Sequence, residues 1–351
     1  MSTQTPTLDV ILGAEEGEPR FGVVNDDIVW LLKELRARED QTFILATLKY
    51  GAKPTQYSIP TAAAVSEYML RQALADGDVT RDETYVLFLI ILFVLVLDDH
   101  IDVNLIRERK THEEVKEYAE QLFDACTGGD VDHEDAVIRY AARLTALLRG
   151  YEAFDAYAHL YFRELKLMLR GMVREYAYST HPKELESATL VDLELGLEGY
   201  MEDALHTSGV GLGLLACLVF LNDTRPLERV ESLRLALDIS GAIVRYLNDI
   251  RTFPRELEEG KFVSALGLAA QKFGIELTRI REALREQDIA RIIRAMLVTE
   301  AYDLKDCLEY VTSRRAFRRI VQNAVVALTE LYIVRQSDFD RFVLESAQAA
   351  P

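Results

Sequence analysis

The chain is poor in cysteine, proline, basic residues and long apolar runs, and each shortage excludes something. Its three cysteines, Cys126, Cys217 and Cys307, are far apart. They form neither a disulfide framework nor a zinc-ligand spacing, and such sparse thiols fit a cytoplasmic setting. Eight prolines and 18 glycines in 351 residues leave no long linker rich in Pro, Gly or Ser. With 40 Lys and Arg against 58 Asp and Glu, the net charge is −18. A phosphate backbone needs basic surface, so nucleic acid is not an expected partner, and an anionic membrane surface is disfavoured for the same reason. The longest apolar run, Tyr85 to Leu97, has 13 residues, too few to span a bilayer. Met1 to Glu18 has no basic start and no apolar core, so neither a secretory signal nor a transit peptide is expected.

What remains is helical. Hydrophobic residues make up 49% of the chain and recur at spacings of three and four, as in Tyr161, Leu165, Met168 and Met172. No alternating strand pattern of useful length occurs. The periodicity predicts helices over Asp26–Arg38, Ala62–Asp76, Asp82–Arg109, Thr111–Cys126, Asp132–Leu148, Ala153–Tyr178, Leu190–Leu221, Arg225–Glu258, Val263–Phe273, Ile275–Glu286, Ile289–Arg314 and Ala316–Arg335. The fold class is therefore all-α: a single-domain helical bundle over residues 25–342, with a polar arm at 1–24 and a tail at 343–351. Bundles of this kind build sites from side chains on facing helices.

The apolar run ends in Asp98-Asp99-His100-Ile101-Asp102. Carboxylates at the end of a greasy helix are costly unless something cationic meets them. Asp98 and Asp102 are four apart, so they share a helix face and repel. A divalent cation reverses that sign, and oxygen-only ligands suit a hard metal such as Mg²⁺. Later, Asn248, Thr252 and Glu256 stand at i, i+4 and i+8. Two steps of four drift only about 80° around a helix axis, so the three make a second column of hard ligands.

The pair of motifs, DDHID and NDIRTFPRE, resembles the DDxxD and (N/D)Dxx(S/T)xxxE motifs of class I terpene synthases, in order and in spacing. The resemblance implies a helical bundle with a central apolar cavity, and a Mg²⁺-dependent lyase that ionises an allylic prenyl diphosphate. It implies three Mg²⁺ ions, two held by Asp98 and Asp102 and one by Asn248, Thr252 and Glu256, with Asp99 behind them. Diphosphate-binding cations are then expected at Arg255, Arg335 and Arg341. Pocket aromatics are sought among Tyr85, Phe88, Phe93, Phe162, Tyr200 and Tyr246, and Trp30 is a candidate for an N-terminal cap. A homodimer is the oligomeric expectation.

The chain departs from the family pattern in three places. Relatives carry a diphosphate-sensing Arg some 45 residues before the triad's Asn, at a helix break. The matching stretch, Tyr200 to Gly209, has no Arg but contains His206, with Gly209, Gly211 and Gly213 marking the break. The C-terminal Arg-Tyr pair reads Arg341-Phe342. Pro254, between Thr252 and Glu256, deletes a helix hydrogen bond and crowds Ile250, so a kink or an end is expected there.

The tail of the second motif, Arg255 to Lys261, is similar to the RE-x-x-EGK pattern of class I diterpene synthases acting on copalyl-type diphosphates. This makes a C20 substrate the leading expectation, with a sesquiterpene synthase on farnesyl diphosphate as the alternative. The DxDD motif of alkene protonation is absent; Asp338-Phe339-Asp340 resembles only its start. A chain-elongating prenyl transferase would carry a second DDxxD, and a non-catalytic helical scaffold would need neither metal column.

Overall fold

The computed structural model describes residues 25–38, 58–129, 132–180, 197–258, 263–272, 288–311 and 313–333. Among them there is no strand. The helices are α1 (Asp26–Ala37), α2 (Ile59–Ala75), α3 (Arg81–Asp99), α4 (His112–Gly128), α5 (Ala136–Leu148), α6 (Phe154–Thr180), α7 (Leu197–Thr207), α8 (Val210–Phe220), α9 (Val230–Glu258), α10 (Ala265–Lys272), α11 (Asp288–Tyr310) and α12 (Arg315–Ile333). The arm, the tail, Arg335, Arg341 and the helix expected over Ile275–Glu286 lie outside the described residues.

Local chemistry sets several helix starts. Thr80 and Glu83 form a capping box on α3, and Thr111 and Glu114 form another on α4. In each, the threonine hydroxyl and the glutamate carboxylate satisfy orphan amides reciprocally. Asp135 caps α5 by accepting from the amides of Val137 and Ile138. Helix α3 is buried over nearly its whole length from Thr84 to Leu97. It sits between α2, α5 and α8, while α9 packs on α7, α11 and α12.

Two elements differ from the sequence reading. The expected helix Asp82–Arg109 is α-helical only to Asp99; His100–Leu105 winds as a π-helix. The first motif therefore straddles a change of winding, a feature common at functional sites. Tyr176 of α6 ties down the end of this segment and the loop after it, its hydroxyl facing the carbonyls of Leu105 at 3.5 Å and Lys110 at 2.5 Å. The expected helix Leu190–Leu221 is broken. Helices α7 and α8 meet at a 45° bend, where Gly209 adopts φ +66°, a left-handed conformation that glycine tolerates best.

Helix α9 runs through Pro254 to Glu258. The proline does not end it, although the side chains from Pro254 to Glu258 lie outside the described set. No single described helix is long and apolar enough to cross a membrane; only the bent pair α7–α8 passes by length and composition. Most of that pair is core, with Leu214, Leu215, Ala216, Cys217 and Leu218 fully buried.

Candidate active site

Asp98 stands one residue before the end of α3, within electrostatic reach of Glu175 of α6 and Arg245 of α9. Its side chain keeps contact with solvent although many protein atoms surround it. Its carboxyl is pushed well above the ordinary value, first by burial and then by the negative charges of Asp102, Glu175 and Asp99. Arg245 is the cation that opposes this. Three helices thus bring four carboxylates against one guanidinium. Such an excess of hard oxygen charge suits a divalent cation.

Arg245 also touches the second motif, through Asp249. It stands one turn before Asn248 on α9, and its side chain is only 11% exposed. Its Nη1 lies 2.6 Å from Glu175 Oε1 and 3.1 Å from the hydroxyl of Thr207. Its Nε lies 2.8 Å from Asp249 Oδ1, and the guanidinium stacks 5.4 Å from the Tyr200 ring centroid.

The second motif divides its labour between the two faces of α9. Asp249 is fully buried. Its Oδ2 accepts from the amide of Ala265 at 2.6 Å and from the Tyr200 hydroxyl at 3.1 Å. Burial pushes its carboxyl up, and Arg245 pulls it back. Asp249 therefore pins the start of α10 to α9 and is turned away from the ligand column. Asn248 and Thr252 are part-exposed on the other side. The Thr252 hydroxyl donates to the carbonyl of Asn248 at 3.0 Å, which leaves its lone pairs free to face a cation. The side chains of Arg255 and Glu256 are not among those described.

The expected pocket aromatics separate into two groups. Tyr200 and Tyr246 lie beside Asp249 and Arg245. Tyr85 and Phe88 stack on each other at 5.9 Å; by helix rise they are about 20 and 15 Å from Asp98. Trp30 packs edge-on to Tyr85 at 6.5 Å, so it covers the end of α3 remote from the carboxylates. Phe93 packs on Tyr140 of α5, and Phe162 on Phe123, Phe154 and Tyr161.

The stretch that lacks an arginine has an inverted arrangement. Asp203 of α7 is buried and holds Arg170, at 2.7 Å, and Arg174, both from α6. The cations come from the neighbouring helix, and the carboxylate stands 45 residues before Asn248, where the resemblance led an arginine to be expected. His206 turns its Nδ1 to Glu164 at 2.9 Å. That contact commits the nitrogen to a buried carboxylate. Arg245 and Glu175 were not singled out from sequence. The signal was there: an arginine inside the apolar stretch Ile243, Val244, Tyr246, Leu247 must find buried anions.

The described residues form an all-α bundle with two oxygen-rich helix segments and a buried arginine beside them. Solved structures share the fold. Abietadiene synthase from Abies grandis matches at 14% identity and TM-score 0.62, covering 94% of this chain and 41% of its own. Isoprene synthase from grey poplar, Populus x canescens, matches at 14% identity and TM-score 0.64, covering 97% and 61%. Germacradien-4-ol synthase from Streptomyces citricolor matches at 14% identity and TM-score 0.61, covering 92% and 95%. The chain thus spans less than two thirds of the two plant enzymes. No curated protein sequence matches it. Residues 89–288, more than half of the chain, match terpene synthase family 2, C-terminal metal binding. The chain belongs to that family.

Proposed function

We propose that this chain is a class I terpene synthase that ionises an allylic prenyl diphosphate with Mg²⁺ and steers the resulting carbocation. The observation that carries the reading is the meeting of Asp98, Glu175 and Arg245 one turn from Asn248. It supports a common mouth for the two motifs, which a bridging diphosphate would require.

Asp98 and Asp102 are the residues to hold Mg²⁺ on one side, and Asn248, Thr252 and Glu256 on the other. Three ions are proposed. The oxygen donors fit, and the crowded carboxylates are destabilised without a counter-ion. When bound, Mg²⁺ supplies Lewis-acid stabilisation of charge developing on the diphosphate.

The protein's own part is positioning and dryness. Arg245 presents a guanidinium held by Glu175 and Asp249, ready to grip diphosphate oxygens in bidentate fashion. Arg255, Arg335 and Arg341 are further proposed contacts. Tyr200 and Tyr246 are the aromatics near enough to the mouth to face a cation. The buried wall of α3 and α8 excludes water, which would quench the carbocation.

The leading substrate is a C20 diphosphate, geranylgeranyl or copalyl-type, supported by the tail Arg255 to Lys261. Farnesyl diphosphate is the second reading. The three solved relatives are named for different products, so the shared fold leaves chain length open. The test is incubation with C15, C20 and copalyl-type diphosphates plus Mg²⁺, with hydrocarbon and alcohol products analysed. Turnover of a C20 substrate supports the lead, turnover of farnesyl diphosphate alone replaces it, and no turnover of any counts against the enzyme reading.

A further inference from the structure

A second polar cluster lies behind the mouth, and the proposed reaction does not use it. Glu164 of α6, His206 of α7 and Asp238 of α9 each offer one ligand atom, and all three atoms lie within 4.8 Å of one another. Among the described residues, no other trio of His, Cys, Asp and Glu converges in this way. Asp238 precedes Asn248 by ten residues, about 15 Å along α9, so the cluster is separate from the metal motifs.

Its hydrogen bonding is incomplete. Glu164 and His206 are 4% and 9% exposed. Glu164 Oε2 faces His206 Nδ1 at 2.9 Å, while Oε1 takes Arg163 at 2.5 Å. Arg234 is the other cation near Asp238, but its Nη1 is spent on Glu231 at 2.8 Å. Asp238 Oδ1 is buried and has no hydrogen-bond partner among the described residues. Gly211 keeps the space open, because a Cβ there would stand 2.8 Å from Glu164 Oε2. Two carboxylates this close, away from bulk water, call for a central cation. A proton on His206 is one answer and a divalent ion is another. One nitrogen and two oxygens match a zinc site whose fourth position is water, whereas Mg²⁺ prefers oxygen alone. Asp238 and Arg163 are part-exposed at the edge of the cluster.

We propose that Glu164, His206 and Asp238 form a second divalent-metal site, favouring a borderline ion such as Zn²⁺, which ties α6, α7 and α9 together behind the mouth. The site does not depend on the proposed reaction.

The test equilibrates the metal-stripped full chain with Zn²⁺ in excess Mg²⁺, removes unbound ion and measures the metal retained. The wild type and the D98N/D102N variant should each keep about one Zn²⁺ per chain. H206A, E164Q and D238N should each bind at least about tenfold more weakly. The latter two are near-isosteric and guard against loss of fold in H206A. Co²⁺ in place of Zn²⁺ should give visible ligand-field absorption that persists in D98N/D102N and disappears in H206A. Failure of the wild type to retain Zn²⁺ would overturn the proposal and assign the cluster to a proton on His206. Retention that is lost in D98N/D102N but kept in H206A would overturn it too, by placing the ion at the first motif.

Discussion

A guanidinium cannot shed its charge, so Arg245, nearly buried, must be answered by its neighbours. Glu175 and Asp249 do this in the resting site, and both lose their guanidinium counter-charge if it is removed. Arg245→Ala is therefore expected to destabilise the fold by about 3–5 kcal/mol. Arg245→Lys keeps the charge but loses the fork, and isolates the functional role. It should leave the far-ultraviolet spectrum intact while weakening inhibition by inorganic diphosphate about tenfold or more. Unchanged inhibition would remove Arg245 from the diphosphate site. Asp98 makes a complementary prediction. Its folded-state carboxyl is raised from 3.8, so the folded chain holds this proton more tightly than the unfolded chain does. Stability of the metal-free protein must then fall as pH rises from about 4 through the raised value, and stay lower above it. Asp98→Asn removes that loss. Its melting temperature in chelator should exceed wild type at pH 7, and the gap should close towards pH 4. In the same variant, turnover with Mg²⁺ should drop at least about a hundredfold.

Helix contacts rest on a few glycines with opposite tolerances. A Cβ on Gly241 of α9 would collide with the backbone carbonyl of Leu205, and one on Gly171 of α6 would stand 2.8 Å from the carbonyl of Asp203. Backbone cannot step aside, so Gly241→Ala should destabilise by several kcal/mol, of the order seen for overpacking or more. Gly213→Ala is the contrast. Its Cβ would meet only Leu87 Cδ1, at 3.7 Å, and alanine favours the helix by about 0.8–1 kcal/mol. Thermal melts of the two variants check both signs. Period, caps and breakers made these elements legible in the sequence: α3, α4 and α5 begin at Thr80, Thr111 and Asp135, where side chains cap. Gly209 broke the long helix where its glycine-rich stretch indicated. The π winding after Asp99 was not legible, because no residue in HIDVNL opposes an α-helix. The two candidate ligand columns are proposed because their oxygens recur every four residues. Arg245 signalled only that a buried anion must meet it; that the anion is Glu175 was not legible, since the pair joins α6 to α9 through side chains that local spacing does not encode. The cluster of Glu164, His206 and Asp238 was hidden for the same reason.

At the scale of the molecule, a chain of net charge −18 is proposed to take an anionic substrate. The excess carboxylates at the mouth make this possible only with metal present. Mg²⁺ together with inorganic diphosphate should raise the melting temperature, and diphosphate without Mg²⁺ should not, because only the ternary complex neutralises Asp98, Asp102 and Glu175. Equal stabilisation by diphosphate alone would point to an arginine-only anion site. The most direct measurement of the central claim is release of inorganic diphosphate from geranylgeranyl, copalyl-type and farnesyl diphosphates, followed with and without Mg²⁺. The account predicts Mg²⁺-dependent release from at least one of them, abolished by chelator and reduced about a hundredfold or more in Asp98→Ala and in Asn248→Ala. Release that persists in chelator, or at wild-type rate in both variants, would contradict it.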